Sequence, residues 1–151
     1  MAELKERLRA DLNSAIRARD QVRMRTLRLA LTSITNEEVA GPSARELSDD
    51  EVVRVLTREA RKRREAAEAF SAAGRSDQAA AERAEGDVLA GYLPAQLSDD
   101  ELAALVDAAI AETGASGPSG LGQVMKTVTP RIAGRADGAR VAAEVRRRLS
   151  S

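Results

Sequence analysis

Cysteine and histidine are both absent from this 151-residue chain. Without cysteine there is no disulfide framework and no thiolate to act as nucleophile or metal ligand. Without histidine there is no imidazole base and no histidine metal ligand. Tryptophan is absent as well, and Tyr92 and Phe70 are the only aromatic residues. Base stacking therefore cannot drive single-strand binding. The 24 basic residues are balanced by 24 acidic ones, so the basic excess of a general nucleic-acid or membrane binder is missing, and no DNA partner is expected. No apolar run approaches a membrane span, and the opening MAELKERLRADL lacks the apolar core of a signal peptide. The expectation is a cytoplasmic protein with no membrane partner.

Catalytic apparatus is equally scarce. A serine nucleophile needs a base; Ser-x-x-Lys does not occur, and Lys5, Lys62 and Lys126 are scattered. Residues 117–122 (GPSGLG) have the glycine content of a phosphate cradle. However, Gln123 and Val124 stand where a Walker loop needs Lys and then Ser or Thr, and no strand precedes them. A flexible loop is the better reading. Glu82 and Glu85 share a helix face, but the Glu-x-x-His partners of di-metal bundles cannot exist here. No catalytic residue, metal or cofactor is expected. The residues by themselves point to a helical interaction or adaptor module rather than an independent enzyme.

What the chain has in quantity is helix. Ala, Leu, Arg and Glu dominate, and no segment alternates with a period of two. Leu4, Leu8, Leu12, Ala15 and Ile16 predict an amphipathic helix over about 2–18. Asp20 can cap a second, with Met24, Leu27, Leu31 and Ile34 inward, ending at Gly41-Pro42-Ser43. Ser48 with Glu51 forms a capping box for a third, whose inner face is Val52, Leu56, Ala60, Ala67 and Phe70 and whose end is Gly74. A fourth runs over about 77–92; its small residues suggest close helix approach. The capping box recurs at Ser98 with Glu101, but the helices that follow differ, so a 50-residue repeat is rejected. The fifth helix turns Leu102, Leu105, Val106, Ala109 and Ile110 inward. After a loop at 113–120, a short helix should run from Leu121 to about Thr129 and stop near Pro130. A turn at 134–138 and an Asp137 cap precede a last helix with Val141, Val145 and Leu149 inward.

Tyr92-Leu93-Pro94 is the structural joint. Pro94 has no N–H and biases Leu93 away from helix, so the chain should divide there. The expected fold is all-α, with two packed helical bundles of about four and three helices over residues 1–93 and 94–151.

Two basic groups remain. Arg61, Lys62, Arg63 and Arg64 could form an RNA-contacting stripe, but Glu59 precedes Arg63 by four residues and Glu65 and Glu68 are in reach, so a solvated salt-bridge ladder is the stronger reading. For the Glu82/Glu85 couple the expectation is either pairing with this run or solvation. Arg146, Arg147 and Arg148 suit a helix C-terminus.

Certain residues in order carry a family resemblance. They are Leu27-Arg28, the 61–64 run, Gly74-Arg75 with Asp77, Glu82 and Glu85, Tyr92-Leu93-Pro94, the segment Gly122-Gln123-Val124-Met125-Lys126, then Gly134, Ala136 and Asp137, then Val141 and Leu149. Over essentially its whole length the chain resembles the GatB/YqeY family in its free-standing YqeY-like form. Its C-terminal part is similar to the tail of the B subunit of the tRNA-dependent amidotransferase. The resemblance implies a two-bundle helical fold and association with tRNA or a tRNA-modifying, amidotransferase-like protein. The family label of carbon–nitrogen ligase with glutamine as amido donor is not expected of this chain alone, which lacks the kinase-like part and any glutaminase. If tRNA is touched, the expected contacts are Gly122, Lys126, Arg131, Arg135 and Arg140, which cluster in sequence with only Asp137 opposing, and with Arg61, Lys62 and Arg64 as weaker candidates. The alternative is a protein-interaction scaffold with no RNA role.

Overall fold

A computed structural model describes residues 3–150, and among them it contains seven α-helices and no strand. The chain divides into two compact units after Leu93. The first holds α1 (Glu3–Ala18), α2 (Gln21–Glu38), α3 (Asp49–Ala72) and α4 (Ser76–Ala90); the second holds α5 (Asp99–Thr113), α6 (Leu121–Ile132) and α7 (Gly138–Leu149). The expected start of α1 at residue 2 lies outside the described residues.

Local chemistry sets most helix ends. The Asp20 carboxylate accepts from the Arg23 N–H, and Ser48 and Ser98 each form a reciprocal capping box with Glu51 and Glu101. Asp137 accepts from the N–H groups of Ala139 and Arg140. Each cap satisfies donors that the first helical turn leaves without partners. At the end of α3 the Gly74 N–H reaches the Ser71 carbonyl and the Arg75 N–H the Phe70 carbonyl. This is the Schellman arrangement, with Gly74 left-handed at φ +75°.

Four boundaries and orientations differ from the sequence reading. Helix α2 ends at Glu38, before Gly41, and α4 ends at Ala90, short of Tyr92. Ile16 is not inward but 42% exposed. Helix α6 does not stop at Pro130; it continues to Ile132. Pro130 falls in the last turn, so its missing N–H forfeits a single bond, to the Lys126 carbonyl four residues back. Ile132 is buried, which holds that turn on the core, and the Arg135 side chain donates to the carbonyls of Arg131 and Ile132.

In the first unit, Leu8, Leu27, Ile34, Val52, Leu56 and Leu89 form the centre of the core. Ala67 and Ala79, on α3 and α4, are fully buried, so small side chains do sit where these two helices pack. Gly86 is not forced by sterics, because a Cβ there would stand 3.7 Å from that of Arg63, an ordinary contact. In the second unit, Leu102 and Val106 of α5, Val124 and Val128 of α6, and Val141 and Val145 of α7 share one core. The connection between α5 and α6 contains a 3₁₀ turn at Pro118–Gly120. Gly117 is left-handed there, and Gly120 lies so close to Ala115 that an added Cβ would stand 2.8 Å from its Cβ. The glycine-rich loop thus has a packing explanation at two of its positions.

Candidate functional site

The segment from Gly122 to Arg140 covers α6, the following turn and the start of α7. Val124, Val128 and Ile132 are buried on one face of α6. At 100° per residue, Gly122, Lys126 and Pro130 occupy the opposite face, and all three are exposed. Gly122 meets nothing that a Cβ would touch, so neither packing nor backbone conformation demands glycine there. Lys126 has no ion-pair or hydrogen-bond partner among the described residues.

The arginines of this segment are placed differently. Arg131 is on the flank towards α5, where its guanidinium grips both carboxylate oxygens of Glu112, one at 2.9 Å. This pairing holds the Glu112 carboxyl below its ordinary range. Arg140 donates to Asp99 at 2.8 Å. Arg135 folds back on α6, with Nε 3.2 Å from the Ile132 carbonyl and a terminal nitrogen 2.9 Å from that of Arg131. It supplies a cation where the helix leaves carbonyls uncapped. Its backbone carbonyl accepts from the Leu97 N–H at 2.8 Å, so the turn also anchors the Pro94–Leu97 segment.

The expectation that only Asp137 opposes these cations is therefore corrected. The missed partners lie on α5, which carries Asp99, Asp100, Glu101, Asp107 and Glu112 and no basic residue. That charge segregation is visible in the sequence and was the signal for them. Arg148 of α7 completes the pattern by approaching Asp107 at 3.4 Å. Arg147 and Arg148 also pair with Glu144 in their own helix, so this basic run is explained locally.

The weaker candidates belong to the seam of α2, α3 and α4. Arg61 approaches Glu65 at 3.8 Å, Lys62 reaches Glu59 at 3.3 Å, and Arg64 is on the exposed side. The anticipated pair of Glu59 with Arg63 does not form. Glu59 is buried and accepts from Ser33 across the seam at 3.0 Å. Arg63 instead approaches Glu82 and Glu85 of α4, at 3.6 and 3.5 Å, and Glu85 also accepts from Arg25 of α2 at 2.7 Å. The glutamate couple is thus held by arginines, as its proximity to the basic run suggested. Among the described residues no group of three or more acidic side chains is placed to hold a metal ion.

Tyr92 is buried in the first unit's core. Its hydroxyl donates to Asp11 at 2.5 Å and accepts from Arg23 at 3.3 Å, while the Arg7 guanidinium lies over the ring, 4.7 Å from its centre. Burial is the main cause that pushes its hydroxyl up to about 12, and Asp11 adds to it. Leu93 packs on the same core. Both residues find these partners within the first unit, while Pro94 begins the second. The sequence reading missed Lys5 and Glu38, which form a buried ion pair with Nζ–Oε distances of 2.7 and 2.9 Å; Glu38 also accepts from the Leu47 N–H. Among the described residues no helix is long and apolar enough to cross a membrane.

No curated protein matches the chain at a significant level. The sequence profile of the family described as Yqey-like protein matches residues 5–149, nearly all of it. The run of matched residues reaches into both units and all seven helices described above, and on that ground the chain belongs to the YqeY-like family.

Proposed function

We propose that this protein is a helical binding module without chemistry of its own, which associates with tRNA through the outward face of α6. The observation that carries the reading is Lys126, an exposed cation with no partner among the described residues, one turn from a glycine that neither packing nor conformation requires. Phosphate can approach such a surface closely. Arg131 and Arg140 belong to the same segment but pair with acids of α5. Their ion pairs are exposed, with the Glu112 and Asp99 side chains 56% and 98% accessible. Exposed pairs of this kind contribute at most about 1 kcal/mol, so a phosphate can displace the carboxylate. The resemblance to the amidotransferase tail that residues 122–126 carry in the sequence alone is the ground for taking a tRNA-modifying or amidotransferase-like protein as the accompanying partner. Because Lys126 is the one cation of residues 122–140 without a partner among the described residues, binding is weak, and log K should fall with log salt at a slope of about −1 to −2.

A protein scaffold with no RNA role is the second reading. It is favoured by the pairing of α5 acids with α6 and α7 arginines, which neutralises most of the candidate surface.

The test is a low-salt titration of tRNA into isotope-labelled protein, with Lys126→Glu and the double variant Asp99→Asn/Glu112→Gln. On the RNA reading, amide shifts concentrate on 122–140, Lys126→Glu abolishes them, and the neutralised variant binds more tightly because Arg131 and Arg140 are released. Shifts without focus, or affinity unmoved by both variants, would leave the scaffold reading in place.

A further inference from the structure

Consecutive helices in this protein are joined by segments containing glycine or proline, with one exception. Gly41 and Pro42 lie between α2 and α3, Gly74 between α3 and α4, Gly91 and Pro94 between α4 and α5, Gly114 and Gly117 between α5 and α6, and Gly134 between α6 and α7. Helices α1 and α2 are joined by Arg19 and Asp20 alone. To reverse the chain in two residues, Arg19 takes φ +56°, a left-handed conformation that a side chain with a Cβ disfavours. The sequence through this turn, Ala15 to Leu27 (AIRARDQVRMRTL), contains no helix breaker. The Asp20 cap and two backbone bonds, from the Arg19 N–H to the Ile16 carbonyl and from the Asp20 N–H to the Ala15 carbonyl, favour the turn locally, but no glycine or proline enforces it, and tertiary contacts of α1 hold it closed against the left-handed Arg19.

Those contacts are specific to α1. Lys5 neutralises the buried Glu38, Asp11 accepts from Tyr92, the Leu4 N–H donates to Asp49, and Leu8 is fully buried in the core. If α1 left, Glu38 would be a buried carboxylate without its cation, and Leu27 and Ile34 would lose their cover. The sequence that restores all of these contacts together is another α1.

We propose that α1 exchanges between two copies of this chain. In the exchanged dimer Arg19 and Asp20 become helical, α1 and α2 fuse into one helix, and each α1 occupies the other copy's first unit. Closed monomer and exchanged dimer share the same core contacts and differ at the hinge, which is the condition under which swapping is a low-cost route to a dimer. Two left-handed residues relax for each dimer formed, while association entropy opposes it. Ile16, exposed in the closed form and three residues before the hinge, falls where two straightened hinges would cross. Arg17, Arg19 and Arg23 of both copies repel one another there, and salt screens that repulsion.

The experiment refolds the chain from denaturant at high and low protein concentration, in about 0.5 M salt to screen the hinge arginines, and measures mass by light scattering after size exclusion. Spin labels on cysteines replacing Glu6 and Glu37, diluted into unlabelled chain, report the distance within one copy. Closed, the labels flank the Lys5–Glu38 pair and are near neighbours. In the fused helix, 31 residues at 1.5 Å put them about 46 Å apart. The expected result is a dimer favoured by concentration and carrying the long distance. Arg19→Gly relieves the turn and weakens the fused helix, so it should raise the dimer's dissociation constant on the order of 100-fold. Asp20→Ala removes the cap that favours the turn and should lower it roughly tenfold. A dimer that keeps the short distance, a dissociation constant moved by neither variant, or no dimer from both wild type and Asp20→Ala would overturn the proposal.

Discussion

The Lys5–Glu38 pair offers the sharpest test of how the first unit is held together. Lys5 and Glu38 are 5% and 9% exposed, so both charges are largely removed from water. Two short contacts compensate that desolvation, and the Leu47 N–H occupies one Glu38 oxygen further. Glu38→Gln keeps the shape and an acceptor for Leu47 but leaves the Lys5 ammonium without a counter-charge. Breaking one side of a buried pair costs about 3–5 kcal/mol. The pair sits at the edge of the core beside exposed neighbours, which places the expected loss near the lower end, about 3 kcal/mol. Lys5→Met should cost a similar amount. The double variant should be more stable than the sum of the two losses implies, by at least about 1 kcal/mol, because neither charge is then stranded.

The assay is built into the sequence: Tyr92 is the only tyrosine, tryptophan is absent, and Tyr92 lies in the same unit. Its fluorescence during urea unfolding therefore reads this unit. The pH dependence follows from the lowered Glu38 carboxyl, whose chief cause is the Lys5 hydrogen bond and whose reference value is 4.5. Between the depressed folded value and 4.5 the unfolded chain binds more protons, so stability rises with pH. The contribution is complete above about 4.5 and is lost as pH falls through the folded value. The gap between wild type and Glu38→Gln should accordingly close in acid. Single losses below about 1 kcal/mol that simply add would refute the reasoning, because they would show a pair screened by water.

Three further outcomes are expected. Tyr92 should titrate near about 12 by ultraviolet absorbance; unfolded tyrosine ionises first, near 10, so the stability it contributes falls as pH rises from about 10 to 12, and titration at an ordinary value would mean an accessible hydroxyl. Gly120→Ala should destabilise the second unit by about 1–3 kcal/mol through the clash with Ala115, whereas Gly122→Ala should be neutral or stabilising by up to about 1 kcal/mol, both read by circular dichroism in urea. Pro130→Ala should stabilise α6 by about 1–3 kcal/mol by restoring the bond to the Lys126 carbonyl, and a loss of stability would show that the ring itself is needed.

Element existence and type were set locally, and so were legible in the sequence. Each capping box lies within four residues, Asp137 caps through its own neighbours, and Gly74 closes its Schellman turn within residues 70–75. Such interactions form whatever the rest of the chain does. The buried stripes followed from the 3.6-residue period, and the change of core after Leu93 coincides with the Pro94 break. Tertiary structure decided what lies across space. Arg131 and Glu112 are 19 residues apart, Lys5 and Glu38 33, and Arg140 and Asp99 41. Long, flexible basic side chains can reach many carboxylates, so spacing along one helix could not show that Arg63 would leave Glu59 for Glu82 and Glu85. Pro130 remains helical and Arg19 left-handed because packing of Ile132 and of α1 outweighs the local preference against each. The candidate surface was divided in the same way. The sequence placed five candidate contacts along one segment, and the fold left Lys126 exposed and without a partner among the described residues while it turned the three arginines to carboxylates and helix ends.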